Sequence, residues 1–346
     1  MNNIVKKTAI PEATKVALWF NYVLMRGQER SILLRLSNGE VCFDIEALER
    51  LLKDRDTIKI GVHDGAFHAD EVVAICLIEL IFDVKAEVVR SRDPEVLNAC
   101  DLVFDVLEGT FDHHRSRCDN ISCAASRVLR ALHNTEEVRS SFGQFVWKKL
   151  ANLINAVAYQ DNGGAVFERL GYIQTLARRA RITGEEDKYF MEALDKAEDD
   201  IRTMMENWVD ESPAYDAALE VIKERPHANV LVFGTDCLAT DPKKIMWDEA
   251  HPALYWISPA SPEKSKWNLM CCAVPREGEE DEYDGFSSRF LLPVAWRGVD
   301  GEELDKLIGT SSAIFCHKQG FMAAFASLED AEKAAQEAIK ALTGED

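Results

Sequence analysis

Short hydrophobic segments between residues 57 and 106 alternate with helical patterns, as they do in an α/β fold. Residues 58–62, 86–90 and 102–106 are β-rich runs, whereas residues 70–82 carry a continuous helical pattern and residues 94–98 a short one. This spacing predicts βαβ units and a parallel sheet. Because ligands of parallel sheets collect at the carboxyl ends of the strands, the residues that follow these runs are candidates for function.

The pattern on either side of this region predicts further elements. Residues 31–36 and 41–43 predict a hairpin, because Asn38-Gly39 between them supplies the positive φ angles of a tight turn, and residues 45–52 predict a helix. Helical patterns follow at residues 124–133, 142–159, 172–181 and 187–208. From residue 211 onward the pattern predicts helices at 214–223 and 328–342 and strands at 229–233, 253–258, 267–274, 313–316 and 321–325.

Charge and composition argue against several classes of protein. The 346 residues carry a formal net charge of −20, which argues against coating duplex nucleic acid through a broad basic face. No apolar run approaches the ~20 residues that a membrane-spanning helix needs, and the first residues lack a secretory core, so we expect a cytoplasmic protein. Nine cysteines without a CxxC pair fit reduced thiols better than disulfides or a zinc ribbon.

Histidines are concentrated where predicted strands end. Four of the eight histidines follow the first and third predicted strands, and they are His63, His68, His113 and His114. Asp70 opens the predicted helix, and Asp105 lies near the end of the third strand. Neutral imidazoles together with carboxylates suit divalent metals of borderline hardness, such as manganese, zinc or iron. Carboxylates shared among these histidines could hold two ions, as in enzymes of phosphoryl displacement.

Each of these residues also has a plain structural interpretation. A lone histidine at a strand end is usually a polar residue with its hydrogen bonds satisfied, and a lone aspartate at a helix N-terminus is usually a cap. Their joint placement favours a metal site and a hydrolase that acts on phosphoesters.

Several motifs occur in a specific order along the chain. They are Ile60-Gly61-Val62-His63 with His68-Ala69-Asp70-Glu71, Val88-Val89-Arg90-Ser91-Arg92-Asp93-Pro94-Glu95, Asp112-His113-His114 and Asp161-Asn162-Gly163. Further along come Ser288-Arg289-Phe290-Leu291-Leu292-Pro293, Ala295-Trp296-Arg297-Gly298 and His317 with Gly320-Phe321. Over roughly residues 57–342 this combination resembles the Myg (melanocyte proliferating gene) family of the DHH phosphoesterase superfamily.

The resemblance implies two metal ions in a DHH-type domain and 3′-to-5′ exonuclease activity on RNA. The ligands it implies for the first ion are His63, His68 and Asp105. Those for the second are Asp70, Asp105, Asp161 and one of His113 and His114. Asp105 would bridge the ions, Asp112 would orient a histidine, and the remaining histidine would face the phosphate. The expected catalytic residues are therefore Asp105, Asp112, His113 and His114.

Substrate contacts are expected from four further residues: Arg90, Arg92, Arg289 and His317. The planar fork of a guanidinium matches phosphate oxygens, but a structural salt bridge is an equally good interpretation of each arginine. Met322-Ala323-Ala324 stands where the resemblance implies a glycine-rich turn, and glycine lets a backbone approach a phosphate closely.

The sequence thus predicts an α/β protein in three parts. Residues 1–56 are an N-terminal appendage, residues 57–210 a DHH-type parallel-sheet metal domain that carries catalysis, and residues 211–346 a smaller α/β substrate domain. Expected cofactors are two divalent ions, manganese first, with zinc, iron or magnesium as alternatives. The expected substrate is a single-stranded RNA or DNA end or a short oligonucleotide, with no membrane partner, and a homodimer is compatible with the sequence.

Two other functions remain open at this point. One is a phosphohydrolase of a small nucleotide or of pyrophosphate, and the other is an interaction protein that binds metal without catalysis. A long positive groove beside the site would favour nucleic acid, whereas a pocket for one nucleotide would favour the small substrate.

Overall fold

Strand β3 (Thr57–Val62) is apolar and largely buried, as a strand covered on both faces must be. It pairs in parallel with β4 (Lys85–Arg90) on one side and with β5 (Leu102–Val103) on the other. The connecting helix α2 (Ala69–Phe82) is buried on nearly all sides, which explains why all but three of its residues are apolar. The mixed α/β class and the parallel sheet are confirmed.

The computed structural model describes residues 32–53, 55–114, 122–273 and 288–344. The chain divides into two compact units, Met1–Val209 and Asp210–Asp346. Residues 1–31 of the predicted appendage lie outside the described residues, as does Val274 at the end of a predicted strand. Among the described helices, none combines the length and the apolar character needed to cross a bilayer.

The third predicted strand is shorter than expected. Beyond β5, Phe104 forms only an isolated parallel bridge with Phe111. Asp105 then adopts a φ of 56°, and Leu107 and Glu108 follow at 65° and 55°. Residues in this left-handed region cannot continue a strand ladder, so the chain leaves the sheet at Asp105.

The N-terminal elements belong to the core of the first unit. They are β1 (Leu33–Arg35), antiparallel to β2 (Val41–Phe43), and helix α1 (Ile45–Leu52). Phe43 is 2% exposed, its ring centroid lies 5.2 Å from that of Phe82, and its N–H donates to Thr135 Oγ1 at 2.9 Å. Where it is described, this part of the chain therefore shares the core of the first unit, and a separate N-terminal appendage stays a prediction.

Further helices complete the first unit, namely α3 (Pro94–Leu97), α4 (Ala124–Asn134), α5 (Glu136–Ser140), α6 (Gln144–Asp161) and α7 (Gly171–Thr183). The two helices predicted at residues 187–208 and 214–223 are one helix, α8 (Glu186–Glu224). Pro213 lies inside it, and because proline lacks an N–H and disfavours helix, the pattern had indicated a break there. The division between the two units falls within α8, so no break in secondary structure marks it.

The second unit is built on a mixed sheet. Its strands are β6 (Val230–Val232), β7 (Tyr255–Pro259), β8 (Trp267–Cys271), β9 (Ala313–Cys316) and β10 (Met322–Phe325). Their order is β6-β7-β8-β10-β9, with β6 and β7 parallel and the other pairs antiparallel. Its helices are α9 (Pro242–Asp248), α10 (Gly301–Ile308) and α11 (Leu328–Thr343), of which the pattern predicted only α11.

The segment Met322-Ala323-Ala324 is not a turn but the first part of β10. The turn precedes it, where the N–H of Gly320 donates to the carbonyl of His317 at 2.7 Å and Gly320 has a φ of 73°. The glycine that this turn requires is therefore present one residue before Phe321.

Removal of the Phe43 ring tests whether the hairpin shares the core of the first unit. Phe43→Ala should lower the free energy of unfolding by about 3–5 kcal/mol, as for other buried phenylalanines. The exposed Ser37→Ala in the same hairpin should stay within about 0.5 kcal/mol of the wild type. Thermal and denaturant unfolding measure both, and an unchanged main transition in Phe43→Ala would show an independent appendage.

Candidate metal centre

The side chains that follow β3 and β5 meet at the carboxyl ends of these parallel strands. His63 directly follows β3, and Asp105 comes two residues after β5. Helix α2 starts beside them, with His68 as its N-cap and Asp70 in its first turn. Each position thus follows from the βαβ arrangement, which brings helix N-termini close to the carboxyl ends of the parallel strands.

Asp105 stands between two histidines from different motifs. His63 Nε2 lies 3.4 Å from Asp105 Oδ2, and His113 Nε2 lies 3.2 Å from Asp105 Oδ1. His113 Nε2 is also 3.2 Å from an oxygen of Asp161, the last residue of α6, and 3.9 Å from one of Asp70. The structure therefore brings together every residue predicted to bind metal.

These residues form three overlapping sets whose ligand atoms lie within 4.8 Å of one another. The sets are His63, His68, Glu71 and Asp105; Asp105, His113 and His114; and His68, Asp70 and Asp161. We call the eight residues of these sets the carboxylate–histidine cluster. Within the described part of the chain, the buried oxygens Asp70 Oδ1 and Glu71 Oε2 have no hydrogen-bond partner. Unpaired buried carboxylate oxygens among imidazoles are the donor set that a divalent cation satisfies, so the residues fit metal ions.

Burial and charge move the pKa values in the cluster in opposite directions. Burial alone would raise the pKa of Asp105, but the imidazoles of His113 and His63 close to its oxygens outweigh burial and hold that pKa below its usual range. The closeness of Asp105 in turn raises the pKa of His113. Burial, and next the charge of Asp70, raises the pKa of Asp161 to about 7. Carboxylates held this close repel one another until a cation or a proton is bound.

Asp112 orients the second histidine of its motif. Its Oδ1 accepts the backbone N–H of His114 at 3.0 Å and lies 2.9 Å from His114 Nδ1, while its Oδ2 accepts the N–H of Glu108 at 2.8 Å. One carboxylate thus fixes both the left-handed turn at Glu108 and the ring of His114, whose side chain is 56% exposed. This geometry agrees with the orienting role expected of Asp112.

The cluster opens into a depression of about 520 Å³, and Arg92 lies among its lining residues. The Arg92 side chain is 65% exposed and donates from Nε to Asp64 Oδ1 at 3.0 Å. Arg92 therefore lies beside the cluster, and its contact with a substrate stays a prediction.

Arg90 has different surroundings. Its side chain is 5% exposed, lies 4.8 Å above the ring of Phe190, and donates to Asp187 Oδ1 at 2.9 Å and to the carbonyl of Gly65. Gly65 has a φ of 82° in the loop between His63 and His68, so Arg90 ties that loop to α8. These contacts favour the structural alternative for Arg90.

The two predicted substrate contacts in the second unit, Arg289 and His317, form hydrogen bonds with backbone groups of that unit. Arg289 Nη1 donates to the carbonyls of Ala253 and His251 at 3.0 and 3.3 Å, which also favours a structural role. His317 follows β9, accepts the N–H of Gln319 on Nδ1 at 3.2 Å, and lies 4.4 Å from the ring of Phe321. As substrate contacts, both stay predictions.

Glu71 is the member of the cluster that sequence reasoning missed. It is fully buried, yet it reads in the sequence as an ordinary acidic residue of a first helical turn. The available signal is its place in a helix that is apolar apart from three acidic residues, so that little solvated face exists to hold a carboxylate.

Comparisons with known proteins agree with the motifs. A family model for MYG1 exonucleases, described as "Uncharacterised protein family (UPF0160)", matches residues 59–156 and 125–339. The chain is 28% identical to the "MYG1 protein" of Chlamydia muridarum, over 81% of this chain and 96% of that protein. It is 26% identical to the "MYG1 exonuclease" of Homo sapiens, over 79% of this chain and 83% of the human protein.

A third relative is the "MYG1 exonuclease" of Mus musculus, 27% identical over 76% of this chain and 80% of that protein. No solved structure matches significantly. The regions matched by the family model include all eight residues of the carboxylate–histidine cluster and cover most of the chain. The chain therefore belongs to the MYG1 family.

Proposed function

We propose that this protein is a metal-dependent phosphodiester hydrolase of the DHH type that removes nucleotides from the 3′ end of single-stranded RNA or DNA or of short oligonucleotides. The observation that carries the proposal is the convergence of His63 and His113 on the buried carboxylate of Asp105, with Asp161 beside His113. The names of the human and mouse relatives, both exonucleases, support a nuclease.

The donor sets support two divalent ions, with manganese preferred for mixed imidazole and carboxylate ligands. His63, His68 and Asp105 would hold one ion, and Asp70, Asp105, His113 and Asp161 the other. When bound, such ions lower the pKa of water and neutralise charge on a phosphate. His114, fixed by Asp112 and exposed on the depression, is placed to contact a phosphate oxygen.

The strong negative charge of the chain restricts which nucleic acids the site can bind. A net charge of −20 repels a polyanion at long range, so binding depends on the ions and on local cations such as Arg92. This favours an end of a single strand over a long duplex. We also propose, from the composition alone, a cytoplasmic location.

His113→Ala tests the proposal, because it removes the imidazole that touches three carboxylates of the cluster. The wild type with manganese should shorten single-stranded oligonucleotides, releasing a 3′ label at once and giving a ladder from a 5′ label. The variant should lose at least about a hundredfold in turnover with its melting temperature nearly unchanged. His133→Ala, a histidine on α4 outside the cluster, is the matched control.

The substrate panel separates the alternatives. It contains the labelled RNA and DNA strands, a duplex, a single nucleotide and pyrophosphate. Hydrolysis of the small compounds alone would replace the exonuclease by a small-molecule phosphohydrolase. Wild-type protein that binds manganese in the cluster and hydrolyses nothing in the panel would contradict the proposed function.

Arg92→Ala should weaken substrate binding without emptying the metal sites. A lost hydrogen bond between charged groups corresponds to roughly a tenfold rise in KM. Arg289→Ala, which removes bonds to two backbone carbonyls, should instead lower the melting temperature and leave KM unchanged. Kinetics and melting curves of the two variants distinguish a substrate contact from a structural role. An unaltered KM in Arg92→Ala would show that Arg92 does not contact the substrate.

Asp161→Asn should stabilise the metal-free protein at high pH. The pKa of Asp161 is raised from 3.8 to about 7, so the folded state holds a proton that the unfolded state has released, and stability falls across that range. The chelated variant should therefore melt a few degrees above the wild type at about pH 8 and together with it at about pH 4. Equal melting temperatures at both values would contradict the repulsion inferred for the cluster.

A further inference from the structure

Glu71 is a carboxylate in an environment that is costly for a charge. It is fully buried at the third position of α2, directly after the equally buried Asp70. A buried carboxyl group stays ionised only beside a counter-charge, and without one it holds a proton. The surroundings of its two oxygens therefore indicate what it is for.

One oxygen of Glu71 has a structural partner and the other has none. Oε1 accepts the N–H of His68 at 2.9 Å, which closes a capping box at the start of α2, and it lies 3.4 Å from His63 Nε2. Oε2 is buried without a hydrogen-bond partner in the described residues. A capping box works equally well with a neutral glutamine, so capping does not account for the charge.

Glu79, the other buried glutamate of α2, also has a buried oxygen without a hydrogen-bond partner, Oε2, but it differs from Glu71 in its charged partner. Its Oε1 accepts the N–H of Ala86 at 2.8 Å and lies 3.9 Å from the ammonium of Lys85. Among the described residues Glu71 forms no ion pair with a lysine or arginine, and its one charged partner is the imidazole of His63. Within the described ranges, Glu71 thus has no counterpart of the lysine that lies beside Glu79.

We propose that Glu71 is a ligand of the ion held by His63, His68 and Asp105. Asp105 belongs to two of the ligand sets, so its charge is shared, whereas Glu71 is the carboxylate that belongs to the first set alone. A divalent ion there supplies the missing counter-charge and a partner for Oε2, while Oε1 continues to cap α2. The inference rests on the proposed function, since it requires the cluster to bind metal.

The test compares Glu71→Gln with Glu79→Gln in the full-length protein. Glutamine keeps the volume and still accepts the His68 N–H, so only the charge is removed. Manganese binding to chelated protein is measured by calorimetry and by the electron paramagnetic resonance of free Mn²⁺. The wild type and Glu79→Gln should bind two ions, and Glu71→Gln should bind one of them at least about tenfold more weakly.

Two further variants keep the outcomes distinct. If Glu71→Gln does not fold, as judged by circular dichroism, Glu71→Asp keeps the charge but shortens the side chain, and it should also weaken one ion. Wild-type affinity for both ions in a folded Glu71 variant would overturn the inference and leave Glu71 as a cap. His63→Ala examines the proposed function separately: if it too binds both ions normally, the metal centre itself is wrong.

Discussion

The burial of several carboxylates at one end of a parallel sheet is the constraint on which the first unit depends. Asp70 and Glu71 are fully buried and Asp105 is 3% exposed, although charges are costly inside a protein. The chain offsets this cost with imidazoles and with backbone N–H groups, as where the first residue of α4, Ala124, donates to Asp70 at 3.1 Å. The carboxylate oxygens that these donors leave without a partner are suitable ligands for a cation.

The hydrophobic elements around the carboxylate–histidine cluster hold it in place. Strand β3 is central and α2 is buried on nearly every side, so His63, His68 and Asp70 are attached to elements that lie in the core of the unit. The left-handed backbone at Asp105 is strained for a residue with a side chain, and such strain persists only where the surroundings determine it. Here the surroundings are the two histidines on its carboxylate.

The arginines show that two residues of the same motif can have different roles. Arg90 and Arg92 stand two residues apart in one motif, yet the first is buried against Phe190 and the second is exposed at the depression. Residues two apart within a strand point to the same face, but β4 ends at Arg90, so Arg92 lies beyond the strand and its side chain has different surroundings. Arg289, also in a motif, is used by backbone carbonyls of its own unit.

The sequence by itself determined the α/β class, the β3–α2–β4 order and the candidate metal ligands that the structure brings together, because hydrophobic periodicity and motif spacing are local properties. Tertiary structure alone decided the early end of β5, where Asp105 turns left-handed to reach His63 and His113, and the continuity of α8 through Pro213. It also decided that Glu71 lies in the carboxylate–histidine cluster and Arg90 outside it. The burial and the charged partners of a residue depend on residues far apart in the chain, so a local sequence pattern cannot predict them.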